Sequence, residues 1–176
     1  MYDPFGMPDP RPVEPGEFPA WDEALALVNR DLATLLPEQG PLRLMALPSW
    51  EDEESQDEHV YVALSDGRWH GNDLPPGSDA TPAAALAAVA EAAQDTVLEC
   101  LWQVWPECTE HRLGMHPSRG AEGGDESGGE GGLPVWRCAG GRDARNPEHV
   151  RAIGELDPPY RPRRVRRKER KRRKAL

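Results

Sequence analysis

The chain has 176 residues, 38% of them hydrophobic, and it carries 31 acidic against 21 basic side chains, a net charge of −10 at pH 7. This length suits one domain of ordinary size with additional tails, and no apolar stretch approaches the roughly 20 residues of a transmembrane helix, so we expect no membrane association. Because the 3 cysteines are odd in number, we expect no disulfide framework, and the composition favours a reducing cytoplasm.

The first segment of the chain, residues 1–19, is rich in proline. Since proline fixes φ and removes an N–H donor, we expect neither a helix nor a strand ladder here and predict a disordered leader. The segment also lacks the basic start and the apolar stretch of a secretory signal, so we expect no such signal.

Residues 20–105 are predicted to form a body in the order helix, strand, strand, helix. Apolar side chains recur at helical spacing over 20–36, and the alternation typical of a strand follows over 41–47. A second strand is predicted over 59–64 from its β-branched and aromatic residues. The acidic run at 51–58 is expected to be a solvated connection that lets the two strands pair antiparallel.

The rest of the body is predicted to be mainly one long helix. Residues 68–70 are a candidate third strand. The helix then runs from about Pro82 to Val104, with Thr81 as its N-cap and Pro106 ending it. Its apolar positions predict a buried stripe of Leu86, Val89, Ala93, Val97, Cys100 or Leu101, and Val104.

The residues with the clearest chemistry follow this helix. Two of the three cysteines and three of the five histidines lie between positions 108 and 149. Cys108 and His111 form a Cys-x2-His pair, and thiolates and imidazoles are the ligands of tetrahedral zinc sites. We therefore predict one Zn²⁺ site on Cys108, His111, Cys138 and His149, with His116 as the alternative fourth ligand. The competing interpretation is a pair of buried thiols with unrelated surface histidines.

These ligands define a predicted zinc-ribbon-like lobe over residues 106–157. A glycine-rich loop occupies 118–132, a short strand is predicted over 133–138, and residues 148–156 form either a last turn of helix or a strand.

The lobe also resembles a pattern found in small uncharacterised actinobacterial proteins. The matching segments are Trp105-Pro106-x-Cys108-x2-His111, then His116-Pro117, then Val135-Trp136-x-Cys138, then His149-x3-Ile153-Gly154-x-Leu156. The resemblance covers about the last third of the ordered chain. That family has no assigned activity, so the resemblance implies a compact zinc-ribbon-like end. Thr109 and Ala139 stand where the family pattern has proline.

The end of the chain has the opposite charge to the remainder. Residues 158–176 are predicted to be a disordered tail, and 161–176 combine eleven Lys and Arg with one acid, leaving a net charge of −20 on residues 1–160. Such a tail predicts weak, sequence-independent contact with nucleic-acid phosphates. The alternative is a solvated tail that folds back on the acidic body. The cations are Arg161, Arg163, Arg164, Arg166, Arg167, Lys168, Arg170, Lys171, Arg172, Arg173 and Lys174.

No residue set predicts a catalytic centre by itself. Ser65, Asp66 and His70 lack the glycines of a nucleophile elbow, and Cys100 is expected to be a packed core thiol. A catalytic zinc with Glu107 or Glu110 as base would need an open coordination position.

The patterns together predict an α+β fold: an N-terminal helix, a small antiparallel sheet, a long helix, a zinc-ribbon-like C-terminal lobe and disordered tails. The arginine-rich, lysine-poor composition is typical of high-GC bacterial genomes. We therefore expect a non-catalytic binding or adaptor protein of the bacterial cytoplasm, with an unidentified protein partner. A nucleic-acid-associated protein that uses the tail is the first alternative, and a metal-dependent hydrolase is the second.

Overall fold

A computed structural model describes residues 9–49, 57–118, 132–140 and 147–159. Within these ranges the chain is a mixed α+β fold of two helices and two antiparallel three-stranded sheets, which confirms the predicted fold class. The predictions for the start of the leader, for most of the acidic run, for nearly all of the glycine-rich loop and for the basic tail fall outside the described residues.

The described part of the leader contains a strand, which the sequence analysis did not predict. β1 (Arg11–Pro12) pairs antiparallel with β2 (Arg43–Pro48). The Arg11 guanidinium binds the carboxylates of Glu17, at 2.6 Å, and Glu58. Proline does not prevent this pairing because β1 is an edge strand, and an edge strand has no second neighbour that needs its N–H groups. The expectation that no ladder forms here was therefore wrong.

The first helix confirms the periodicity in the sequence. α1 (Pro19–Leu35) begins with proline in its first turn, where a missing N–H donor costs nothing. Its apolar side chains face inward, and the buried residues of α1 are Trp21, Ala24, Leu25, Val28, Asp31 and Leu32.

The first sheet also forms as predicted, with one difference. β2 pairs antiparallel with β3 (Glu58–Ala63). Residues 68–70 do not form the third strand. Leu64 N–H donates to Arg68 C=O at 2.8 Å instead, closing a turn, and the Trp69 ring stacks on Tyr61 with centroids 5.1 Å apart. β1 occupies the third position in the sheet.

The second helix, α2 (Pro82–Leu101), is shorter than predicted. Thr81 is the N-cap, and its Oγ1 accepts a hydrogen bond from Ala84 N–H at 3.1 Å, as expected. The helix ends at Trp102, which adopts a left-handed conformation with φ 53°, before Pro106 is reached. Leu86, Val89, Ala93 and Val97 are buried as predicted. Val104 is 54% exposed, so the prediction that it belongs to the buried stripe was wrong, because the helix has ended before this residue.

The second sheet lies within the predicted lobe. β5 (Val135–Cys138) is the central strand, flanked by β4 (His116–Ser118) and β6 (His149–Ala152), and both pairings are antiparallel. β6 settles the choice between helix and strand at 148–156. β4 was not predicted, because a three-residue strand that contains Pro117 carries almost no propensity signal.

The lobe shares one hydrophobic core with the helices. Trp105 and Trp136 meet edge to face with ring centroids 5.5 Å apart, and both are buried against residues of α1 and α2. Gln94 of α2 adds a polar connection, since its amide nitrogen donates to Trp105 C=O at 3.1 Å and to Met115 C=O at 2.5 Å. The lobe is thereby held by side chains that belong to the helical body.

A buried carboxylate on α1 makes the second polar connection. Asp31 is 1% exposed, and it accepts hydrogen bonds from Trp136 Nε1 at 2.7 Å, Gly154 N at 2.6 Å and Leu156 N at 2.9 Å. Burial raises the pKa of Asp31, and the three N–H donors oppose that rise. One helix side chain thus fixes both β5 and the turn after β6.

Candidate metal centre

The first two sulfur and nitrogen donors come from a tight turn directly after α2. Cys108 N–H donates to Leu113 C=O at 2.8 Å, and Arg112 N–H donates to Cys108 C=O at 2.9 Å. Arg112 has a φ of 59°, which reverses the chain. The turn folds the imidazole of His111 back towards the thiol of Cys108, so that Nδ1 lies 3.6 Å from Sγ.

The other two donors come from adjacent strands. Cys138 of β5 is paired directly with His149 of β6. Residues paired across two antiparallel strands place their side chains on the same face of the sheet, with Cβ atoms about 4.5–5.5 Å apart. This pairing brings together two residues that are 11 positions apart in the sequence and turns both towards the Cys108 turn.

The distances between donor atoms suit a metal ion. Donor atoms of Cys108, His111 and Cys138 all lie within 4.8 Å of one another, close enough to bind one metal ion together. His111 Nδ1 is 3.4 Å from Cys138 Sγ. A tetrahedral zinc ion with Zn–S of about 2.3 Å and Zn–N of about 2.0 Å holds sulfur and nitrogen about 3.5 Å apart. The two sulfur–nitrogen distances of His111 therefore match that spacing closely.

The two candidate fourth ligands are placed differently. His149 is outside the mutually close group of three, yet its Nδ1 lies 3.1 Å from Cys108 Sγ. His116 lies on β4, where its exposed ring contacts Gln94 Oε1 at 3.3 Å through Nδ1. It is not in the group of three. The direct contact with a ligand sulfur favours His149 over His116.

The site is shielded from solvent on most sides. Cys108 and Cys138 are both 0% exposed, and the His149 side chain is 11% exposed. Burial raises the pKa of the Cys138 thiol, and the neighbouring Cys108 adds to that rise, while a hydrogen bond from Gly140 N–H opposes it. The thiolate form of Cys138 is thus unfavourable without a nearby cation, and a bound cation would reverse that preference.

The carboxylate of Glu110 lies beside the site, and the sequence patterns did not predict this position. His149 Nε2 is buried without a hydrogen-bond partner, and the nearest carboxylate oxygen is Glu110 Oε1, at 3.5 Å. That distance is an ion-pair distance and too long for a good hydrogen bond. Glu110 is one residue before His111, and the sequence suggested it only as the general base of a catalytic zinc site.

The remaining candidates do not converge on a site. The Cys100 thiol is half-buried against the core, and burial raises its pKa. The carboxylate of Asp66, in the turn after β3, accepts a hydrogen bond from Arg68 Nε at 2.9 Å and is therefore already paired. The cations of the tail lie outside the described residues.

Comparison of the chain with protein-family models, with curated proteins and with solved structures gives no match. Neither of the helices in the described ranges is long and apolar enough to cross a membrane. The donor geometry is therefore the strongest indication of chemistry in this molecule.

Proposed function

We propose that Cys108, His111, Cys138 and His149 bind one Zn²⁺ ion in a closed structural site. The observation that carries this proposal is the set of sulfur–nitrogen distances: 3.6 and 3.4 Å for His111 and 3.1 Å for His149, all within about 0.5 Å of the spacing around tetrahedral zinc. Two thiolates also balance the charge of the ion. Cadmium or iron would accept similar donors, and metal analysis separates them.

The arrangement of donors supports a structural ion more than a catalytic one. Four protein ligands leave no coordination position for a water molecule, and both sulfur atoms are fully buried. When Nδ1 of His149 faces the metal, its Nε2 carries the proton and points towards Glu110. Such outer carboxylates orient metal-binding imidazoles. In a hydrolase, by contrast, Glu110 would be needed beside a metal-bound water.

The function that this architecture supports best is non-catalytic binding. We propose a binding or adaptor protein of a bacterial cytoplasm, where thiolate ligands remain reduced, and we propose that it belongs with the actinobacterial proteins whose motif its lobe resembles. Trp102 supports the binding role, because its side chain is 88% exposed and large exposed aromatic residues are typical of interaction surfaces. Its protein partner is unidentified.

Metal analysis of the purified protein tests the site. Protein prepared without chelator should contain about one Zn²⁺ per chain, and Cys138→Ser should lose it. Cys100→Ser is the matched control, since Cys100 is the remaining cysteine and lies outside the donor group. Well under half an equivalent of metal in the unaltered protein would contradict the proposal.

A second comparison distinguishes the fourth ligand and the hydrolase alternative. His149→Ala should change the visible spectrum of the cobalt-substituted protein, whereas His116→Ala should leave it unchanged. An effect of His116→Ala alone would assign His116 as the fourth ligand, and if neither variant has an effect, the fourth ligand is water. That result would favour a metal-dependent hydrolase with Glu107 or Glu110 as the base.

The charge division of the chain favours a second candidate function, association with nucleic acid. Eleven Lys and Arg within residues 161–176 release counterions when they bind phosphates, whereas the net charge of −20 on the remainder opposes that binding. We propose weak, sequence-independent affinity that falls steeply with added salt. Retention of the protein on an immobilised oligonucleotide at several salt concentrations measures it. Retention that does not change with salt would contradict a contact made through phosphates.

A further inference from the structure

Both helices end beside the same small cavity. Trp21 Nε1 near the start of α1 donates to Ser78 Oγ, just before α2, at 3.1 Å, so the helices begin together and run parallel. Their C-terminal ends meet at a pocket of about 160 Å³. Its walls include Leu35 and Leu36 from the end of α1, Val104 and Glu107 from the segment after α2, and Pro159.

Exposed apolar residues lie on the chain that leads from α2 to this pocket, and one of them, Val104, lines it. Trp102, which ends α2, is 88% exposed, and Val104 is 54% exposed. Leu98 lies four residues before Trp102, near the end of α2, and is 39% exposed. We call these three residues and the pocket the Trp102 surface. An indole side chain has only two rotatable bonds, so it offers a flat face at little entropic cost.

The charges around this surface favour a cationic occupant. The described residues contain 20 Asp and Glu but only 7 Arg, and neither helix has a basic residue in its last turn. Two arginines lie nearby: Arg68 donates to Cys100 C=O at 3.2 Å, and Arg112, whose side chain is 82% exposed, lines the pocket 4.0 Å from Glu107. Glu99 is exposed on α2 between Leu98 and Trp102. The same charges oppose a second copy of the chain, since like charges would face each other.

The position of Pro159 identifies the occupant. Pro159 forms part of the pocket wall, and the residues that follow it are Tyr160 and the arginine-rich segment. We propose that residues 160–167 of this chain dock on the Trp102 surface, with arginine side chains over the indole ring of Trp102 and beside Glu99. Guanidinium groups stack on tryptophan faces and bind carboxylates with two parallel hydrogen bonds, so one residue type satisfies both features of the surface.

Residues 160–167 belong to the same chain as the Trp102 surface, so a weak contact is sufficient for them to dock. The segment leaves the body at the pocket itself, and a short linker gives an effective concentration on the order of mM. A separate protein partner that binds at Trp102 would therefore have to displace this segment. Docking occupies cations that would otherwise bind phosphates, so this surface competes with polyanions for the tail. The proposal does not depend on the zinc site.

The test uses two full-length variants that remove equal charge. Proximal and distal cations are each replaced by glutamine, and the indole N–H resonances of ¹⁵N-labelled protein are compared with those of the unaltered chain. Trp102→Phe assigns the Trp102 signal, and the buried Trp136 serves as the internal reference, since its Nε1 is held by Asp31. The proximal set is Arg161, Arg163, Arg164, Arg166 and Arg167, and the distal control set is Arg170, Lys171, Arg172, Arg173 and Lys174.

We expect the Trp102 signal to move in the proximal variant and to stay within its line width in the distal control, with Trp136 unmoved in both. High salt should move the signal of the unaltered chain towards that of the proximal variant. Equal movement in the two variants would mean that only net charge matters and would overturn the proposal. So would an unmoved Trp102 signal, or a position that depends on protein concentration, which would assign the contact to the tail of a second copy.

Discussion

Replacing Asp31 should detach the lobe formed by residues 106–157 from the helices. Its carboxylate accepts three hydrogen bonds from the lobe, at 2.7, 2.6 and 2.9 Å, and it is 1% exposed. Asp31→Ala removes the acceptor of three N–H donors, of which that of Trp136 is buried and those of Gly154 and Leu156 are part-buried, and each loss costs up to about 1–3 kcal/mol. Loss of the buried charge and entry of water offset part of this cost. We therefore expect a net destabilisation of about 3–5 kcal/mol, a large share of the roughly 5–15 kcal/mol that stabilises a typical domain.

Asp31→Asn removes the negative charge but keeps nearly the same side-chain shape, so it distinguishes the contributions of the two. The amide oxygen can still accept from Trp136 and Gly154, but its NH₂ group then faces the Leu156 N–H, so one hydrogen bond is lost. The expected cost is about 1–3 kcal/mol, smaller than that of alanine.

Urea unfolding of the zinc-loaded protein, followed by tryptophan fluorescence and by metal release, measures both variants. Glu23→Ala, an exposed change on the same helix, is the control and should lie within about 0.5 kcal/mol of the unaltered protein. If Asp31→Ala is as stable as this control, the carboxylate does not hold the lobe and the reasoning fails.

The remaining predictions concern the metal, the tail and a helix cap. Removal of zinc by a chelator, or Cys138→Ser, should expose residues 106–156 to limited proteolysis, because metal-binding energy contributes to the folding of the lobe; an unchanged cleavage pattern would mean that the lobe packs without metal. Cys100→Ser should leave that pattern unaltered. Deletion of 161–176 should abolish retention on DNA or RNA while the circular dichroism spectrum is kept, and persistent sequence-selective binding would point to the lobe instead. Thr81→Ala should lower the free energy of unfolding by about 1 kcal/mol in urea titration, since the Ala84 N–H loses its partner.

Local patterns in the sequence were sufficient for the helices, for the first strand pair and for the position of the candidate site. Helical spacing predicted α1 to within one residue at each end, and the Thr81–Pro82 signal predicted the start of α2. These features depend on residues that are neighbours in the chain, so composition and period determine them. The clustering of cysteine and histidine after α2 likewise indicated a metal site before any fold was known.

Tertiary structure alone decided which residues meet across long separations. His149 lies near the sulfur of Cys108 because β6 pairs with β5, whereas His116 is nearer to His111 in sequence and contacts Gln94 instead. Asp31 illustrates the same limit: no local signal shows that a helix carboxylate will receive donors from residues more than 100 positions away. Strand pairing and buried polar contacts depend on the whole core, which a one-dimensional pattern does not contain.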